Sequence, residues 1–198
     1  MTLIVNENHK KLSKRDESII QFIEQYDQLG YLPEALFNFI VLLGWSPEGE
    51  EEIFSREELI NIFDAKRLSR SPAVFDTNKL AHLNNTYIKQ ADTDRITAMA
   101  IPHLQKAGRL PAELNEEQHA WAHDLVALYQ EQMVAVSDIV ELSSMFFRSH
   151  LQLDTEGQQL LSEEHVSTVL QALLDKIKAS PEFSPTVAAA LIKEVEKE

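Results

Sequence analysis

A chain of 198 residues with 44% hydrophobic content can bury one medium core or two small ones, and lies far from the disordered regime. It has no cysteine, which excludes disulfides and thiolate metal sites and fits a reducing cytoplasm. No apolar run approaches the roughly 20 residues needed to cross a bilayer, and the first residues lack the charged-then-apolar pattern of a signal peptide.

A net charge of −14 argues at first against a nucleic-acid partner, but the charge is unevenly spread. Residues 1–109 hold 13 basic and 16 acidic side chains, whereas residues 110–198 hold 5 and 16. The basic side chains of the first part cluster at Lys10-Lys11, Lys14-Arg15 and Lys66-Arg67 with Arg70. Such clusters can meet phosphates on one face while acidic residues keep the others soluble; alone, each is most simply a solvated surface.

In chain order, only Thr2 to Val5 reads as a strand: short, β-branched and followed by the polar turn Asn6-Glu7-Asn8. One strand cannot pair with itself, so it either docks on helices or has its partners elsewhere. Everything after Asp16 reads as helix. Ile19, Phe22, Ile23 and Tyr26 form a stripe that stops at Gly30. Pro33 opens a second helix through Leu36, Phe37, Ile40 and Leu43. Ser55-Arg56-Glu57-Glu58 is a capping box, and Asp76 or Thr77 caps the helix of Leu80, Leu83, Tyr87 and Ile88. Pro72 predicts a break and Pro102 a kink.

A second helical set starts near Asp92. Ile96 to Ala107 is closed by Gly108, and Asn115 caps a stretch through Trp121, Leu125, Leu128 and Tyr129. Ser137-Asp138 is either a new cap or the exposed face of one long helix. Polar residues 151–157 then separate a last pair, marked by the stripe of Val166, Val169, Leu170, Leu173, Leu174 and Ile177 and by Ser184-Pro185. The expected fold is all-α with one short N-terminal strand. The expected divisions are residues 1–16, 17–91 and 92–198.

Among residues able to carry chemistry, His119 and His123 share one helical face, but two imidazoles lack the third ligand zinc normally takes, and no metal site is expected. No nucleophile elbow is present. The aromatic side chains fall on helical stripes and read as core. The pentad Lys11-Leu12-Ser13-Lys14-Arg15 differs, placing three cations on a short loop between a strand and a helix. Ammonium groups there can reach phosphate oxygens and offset charge as it shifts in a phosphoryl or nucleotidyl transfer.

Lys-Leu-Ser-Lys-Arg-Asp at 11–16, then Gly30-Tyr31-Leu32-Pro33-Glu34-Ala35-Leu36 and Leu42-Leu43-Gly44-Trp45-Ser46, resembles bacterial glutamyl-tRNA synthetase. The likeness continues through Arg67-Leu68-Ser69-Arg70-Ser71-Pro72, Phe75-Asp76, Lys79-Leu80, Asn84 and Tyr87-Ile88, and at the level of helical pattern beyond about residue 110. His82 departs from it, standing where a tryptophan is common.

The resemblance implies that residues 11–15 are the family's KMSKS-type loop, with Lys14 contacting ATP and Lys11, Ser13 and Arg15 shaping the loop. It implies that residues 17–91 are a stem-contact subdomain and that the helices after about residue 92 bind the anticodon. ATP and Mg²⁺ are implied for the intact enzyme, with tRNA as partner, a monomeric state and a cytoplasmic location. The nucleotide-binding half and its HIGH motif are expected upstream of Met1, and the anticodon region is expected to be incomplete at Glu198. The chain alone is therefore expected to dock tRNA without catalysis. Lys66, Arg67, Arg70, Lys79 and Arg148 are candidate tRNA contacts. The alternative is a non-catalytic helical module that binds tRNA or protein.

Overall fold

The computed structural model describes residues 3–6, 10–12, 20, 22–148, 153–181 and 184–195. They form an all-α protein with one small sheet and ten α-helices among the described residues, divided into two compact units at Phe147 and Arg148.

In the first unit, strand β1 (Ile4–Val5) lies parallel to β2 (Ala73–Val74), with Ile4 opposite Ala73 and Val5 opposite Val74. The N–H groups of Ala73 and Phe75 donate to the carbonyls of Leu3 and Val5 at 2.9 and 2.8 Å. The expected lone strand thus has its partner in this chain. Two paired residues are too few for a period-2 pattern, and the Ser71-Pro72 break hid the second strand from sequence reading.

Helix α1 (Ile23–Leu29) begins later than its apolar stripe suggested, because Phe22 is extended at φ −111° and ψ 135°. It ends at Gly30, left-handed at φ 77°, whose N–H donates to the Asp27 carbonyl. Pro33 sets the first turn of α2 (Pro33–Leu42), where its missing N–H costs no helical bond. Ser55 and Glu58 exchange reciprocal cap bonds at 3.1 and 2.7 Å to start α3 (Arg56–Ile62). Asp76 caps α4 (Thr77–Gln90) and Asp92 caps α5 (Thr93–Lys106), which remains helical through Pro102. Gly108, at φ 71°, follows the end of α5.

Asn115 caps α6 (Glu116–Tyr129). The chain then leaves the helix for two 3₁₀ turns at residues 130–132 and 136–138 before the short α7 (Ile139–Leu142). The polar interruption at Ser137-Asp138 therefore separates two helices. Asp138 Oδ2 accepts the N–H groups of Val134 and Ala135, both at 2.9 Å, satisfying the turn that precedes it. The main core gathers Leu32, Ile88, Ile96, Leu104, Val126, Met133, Val136 and Ile139. Smaller clusters lie around Tyr26, Phe39, Leu80 and Leu83, and around Trp45, Phe54 and Leu59.

The second unit holds α8 (Thr155–Leu161), α9 (Glu164–Ala179) and α10 (Pro185–Val195). Residues 151–157 are not wholly a polar spacer: Asp154 accepts the Gly157 N–H at 2.8 Å and starts α8. Ser184 Oγ accepts the Val187 N–H at 3.2 Å at the head of α10, as the Ser-Pro signal predicted. The stripe on α9 is only partly covered, since Val169, Leu170 and Leu174 are all exposed.

Candidate nucleic-acid interface

The described start of the pentad, Lys11 and Leu12, pairs back onto β1. Asn6 N–H donates to the Lys10 carbonyl at 2.8 Å, and Asn6 Oδ1 accepts the Lys10 N–H at 3.0 Å. Lys11 then forms an antiparallel bridge with Val5, and the Leu12 N–H donates to the Ile4 carbonyl at 3.3 Å. β1 is therefore bordered by β2 on one edge and by this returning arm on the other. Val5 is buried, while Lys10 and Lys11 are exposed. Ser13, Lys14 and Arg15 lie outside the described residues.

The second basic segment is fastened to a different corner. Trp45, 2% exposed, donates its indole N–H to the Asp64 carbonyl at 3.0 Å, and its backbone bridges Leu68. The Ser69 N–H donates to the Gly44 carbonyl at 2.8 Å. Asp64 caps a 3₁₀ turn at Ala65–Arg67 by accepting the Lys66 N–H at 2.9 Å. This geometry leaves the Lys66 and Arg70 side chains exposed. Arg67 instead turns back: its Nε donates to the Ser46 carbonyl at 2.7 Å, another guanidinium nitrogen to Pro47, and Glu48 lies 3.5 Å away.

The segment carrying Lys66, Arg67 and Arg70 runs through Ser71-Pro72 into β2, so Lys11, bridged to β1, and the strand that follows Arg70 belong to one small sheet. Lys79, on α4, is ion-paired with Glu52, and Arg148 stands exposed in the second unit. His82 is exposed on α4, so its departure from the common tryptophan falls at the surface.

His119 and His123 do share one face, as their spacing implied. His119 and His123 line a cavity of about 520 Å³ between α5 and α6, and His123 approaches Asp94 at 3.4 Å and Asp124 at 3.7 Å. Among the described residues no three His, Cys, Asp or Glu side chains converge as a metal would require. His103 is held below the usual imidazole range by burial and by the charge of Lys106.

Sequence periodicity placed all the aromatic side chains in the core, and here it misled. Trp121 is 40% and Phe146 50% exposed, although Trp121 meets Phe147 edge-on at 5.6 Å. Arg109 explains part of that arrangement. Its guanidinium donates to the Val140 carbonyl and lies 4.9 Å above the Phe147 ring, which fixes that ring against Trp121.

No helix among the described residues is long and apolar enough to cross a membrane. Residues 1–82 match the class I tRNA synthetase (E and Q) catalytic domain, and residues 95–198 match the anticodon binding domain. The whole chain is 58% identical over 197 residues to the glutamate–tRNA ligase of Geobacillus thermodenitrificans, covering 40% of that protein. It is likewise 58% identical over 198 residues to the Bacillus thuringiensis enzyme, covering 41%. A crystal structure of a glutamate tRNA ligase from Elizabethkingia meningosepticum in complex with its amino acid superposes with TM-score 0.79 at 25% identity. That superposition covers 100% of this chain and 41% of the other. The Elizabethkingia anophelis glutamate-tRNA synthetase gives 0.76 at 26% identity, covering 98% and 40%. The chain spans about 40% of the length of the curated relatives it matches. With the catalytic-domain match over its first part and the anticodon-binding match over more than half of its length, the chain belongs to the anticodon binding domain family and is a part-length relative of glutamate–tRNA ligases.

Proposed function

We propose that this chain is the tRNA-binding portion of an ATP-dependent glutamate–tRNA ligase, acting in the cytoplasm as part of a monomeric enzyme. In this reading Lys14 contributes a cation to the ATP site, and Lys66 and Arg70 meet tRNA phosphates. Lys79 and Arg148 are secondary candidates. Arg67 acts by holding the turn that presents its neighbours. The observation that carries the reading is the shared sheet: the arm leading to Lys14 and the strand following Arg70 lie on opposite edges of β1.

Exposed ammonium groups on a fixed arm suit triphosphate binding, because they need no reorganisation as negative charge shifts toward the leaving group. Lys10 and Lys11 are the described cations nearest that loop in sequence. Mg²⁺ is held largely by phosphates and water, so the reading assigns it no ligand from this chain. Residues 95–198 supply the anticodon contacts, a role supported by their domain match.

The test is filter binding of glutamate-accepting tRNA at low salt, paired with glutamate-dependent pyrophosphate exchange. The expected result is salt-sensitive tRNA retention that weakens in Lys66→Ala/Arg70→Ala, with no exchange by this chain alone. Unchanged retention in the double variant rejects the docking face. Exchange activity would overturn the assignment of catalysis to the longer enzyme.

A further inference from the structure

The two family matches leave residues 83–94 between them, where a flexible linker between domains would ordinarily stand. Instead α4 runs to Gln90 and α5 starts at Thr93, and the joint is bonded from the side by residues 130–136. Gln130, 7% exposed, donates its amide to the carbonyls of Ile88 at 2.7 Å and Ala91 at 2.8 Å. Its Oε1 accepts the Thr93 hydroxyl at 2.8 Å, so one side chain ties the end of one helix to the start of the next.

Asn84 extends the tie. Fully buried, it accepts the Leu32 N–H at 2.8 Å and donates to the Val134 carbonyl at 2.6 Å. The two partners are an N–H and a C=O, so they fix the amide's orientation. Asn85 donates to the carbonyls of Glu131 and Met133 at 3.2 and 2.6 Å. At the same joint the Val136 N–H donates to the Gly30 carbonyl at 3.3 Å. A Cβ at Gly30 would stand 2.6 Å from Val136 Cβ. Backbone meets backbone here with no room to slide.

From this interlock we propose that residues 130–136, with Gly30, Asn84 and Asn85, form a rigid joint. It holds the catalytic-domain and anticodon-domain portions of the first unit in one orientation, so that a single tRNA engages both at once. The inference rests on the tRNA-binding reading above. Two weak contacts on one rigid body reinforce each other through effective concentration; on a loose linker much of that gain disappears. Asn84 and Asn85 are thus positioning residues. Neither needs to touch tRNA.

The chain has no cysteine, which allows a site-specific spin-label pair at Glu57→Cys and Glu117→Cys, both exposed positions on α3 and α6. Pulsed electron–electron distance measurement on the full chain without tRNA is expected to give one narrow distribution. Asn84→Asp keeps the acceptor for Leu32 and loses the donor to Val134. It should broaden the distribution and weaken whole-tRNA binding at least about tenfold. Binding of an isolated anticodon stem-loop and of an acceptor-stem minihelix should be unchanged. Asn85→Ala, at a half-buried position outside the core clusters, repeats the test if Asn84→Asp fails to fold.

A broad distribution in the parent chain overturns the joint whatever tRNA does. So does unchanged whole-tRNA affinity in a variant whose distribution has broadened, or a lower melting temperature with no broadening. A narrow distribution with no tRNA binding by the parent chain rejects the tRNA reading and the orienting role, while upholding the rigid joint.

Discussion

Arg67 Nε donates to the carbonyl of Ser46 at 2.7 Å, so the most conspicuous cation of the second basic run is committed to its own fold. Removing it frees two carbonyls and loosens the corner around Trp45. Charge-assisted hydrogen bonds contribute about 1.5–3 kcal/mol each, less where solvent reaches them. Arg67→Ala should therefore destabilise the first unit by about 1–2 kcal/mol in urea unfolding. Lys66→Ala, at an exposed position with no side-chain bond in the turn, should stay within about 0.5 kcal/mol. Equal losses for the two would show that the Ser46 contact contributes nothing.

Gly30 and Gly108 offer a matched pair. Both are left-handed, at φ 77° and 71°, but a Cβ at Gly108 meets nothing within 4 Å. Gly108→Ala should cost only the conformational penalty, about 1–2 kcal/mol. Gly30→Ala adds the collision with Val136 and should cost about 1–3 kcal/mol more. Thermal melting of both variants checks the difference.

Much of this fold was legible because its helices announce their ends. Ser55 with Glu58, Asp76, Asn115 and the two left-handed glycines act within a few residues, and each of these five signals matches an observed helix end. What stayed hidden is long-range. β2 is two residues, and its identity depends on a partner about 70 residues earlier in the chain. The role of Arg67 depends on a turn 20 residues upstream, and charge alone placed it among its exposed neighbours. Nothing in local periodicity marks Asn84, whose two partners come from opposite sides at separations of 52 and 50. The basic runs themselves were readable; the pairing of the strands that adjoin them was not.

Glu34 and Arg95 join α2 to α5 through two bonds, at 2.5 and 3.2 Å. The guanidinium holds the Glu34 carboxyl below the usual carboxylate range, with burial opposing the shift. The folded value is thus below the unfolded 4.5, so the contribution is complete above that pH and is lost as pH falls through the folded value. Glu34→Gln should flatten the acid limb of stability below about pH 5 and leave its slope unchanged near neutrality. Both side chains are at least one-third exposed, so the flattening should stay within about 1 kcal/mol. Urea midpoints across pH measure it. Identical acid limbs in parent and variant would mean the pair contributes no pH dependence.

The salt dependence of tRNA binding discriminates phosphate contact from every indirect effect of the basic segment. A cation neutralising a phosphate releases condensed counterions, and each such contact adds about −0.9 to the slope of log affinity against log salt on a duplex. The net charge of −14 opposes association overall, so the positive face must act locally and its benefit must fade with screening. Lys66→Ala and Arg70→Ala should each make the slope shallower by roughly one unit, with curves converging on the parent at high salt. Arg67→Ala should behave differently. Its side chain is held by Ser46, Pro47 and Glu48, so it should lower affinity through the turn while leaving the slope nearly intact. Parallel slopes for all three variants would place the phosphate contacts elsewhere, with Lys79 and Arg148 next to be measured.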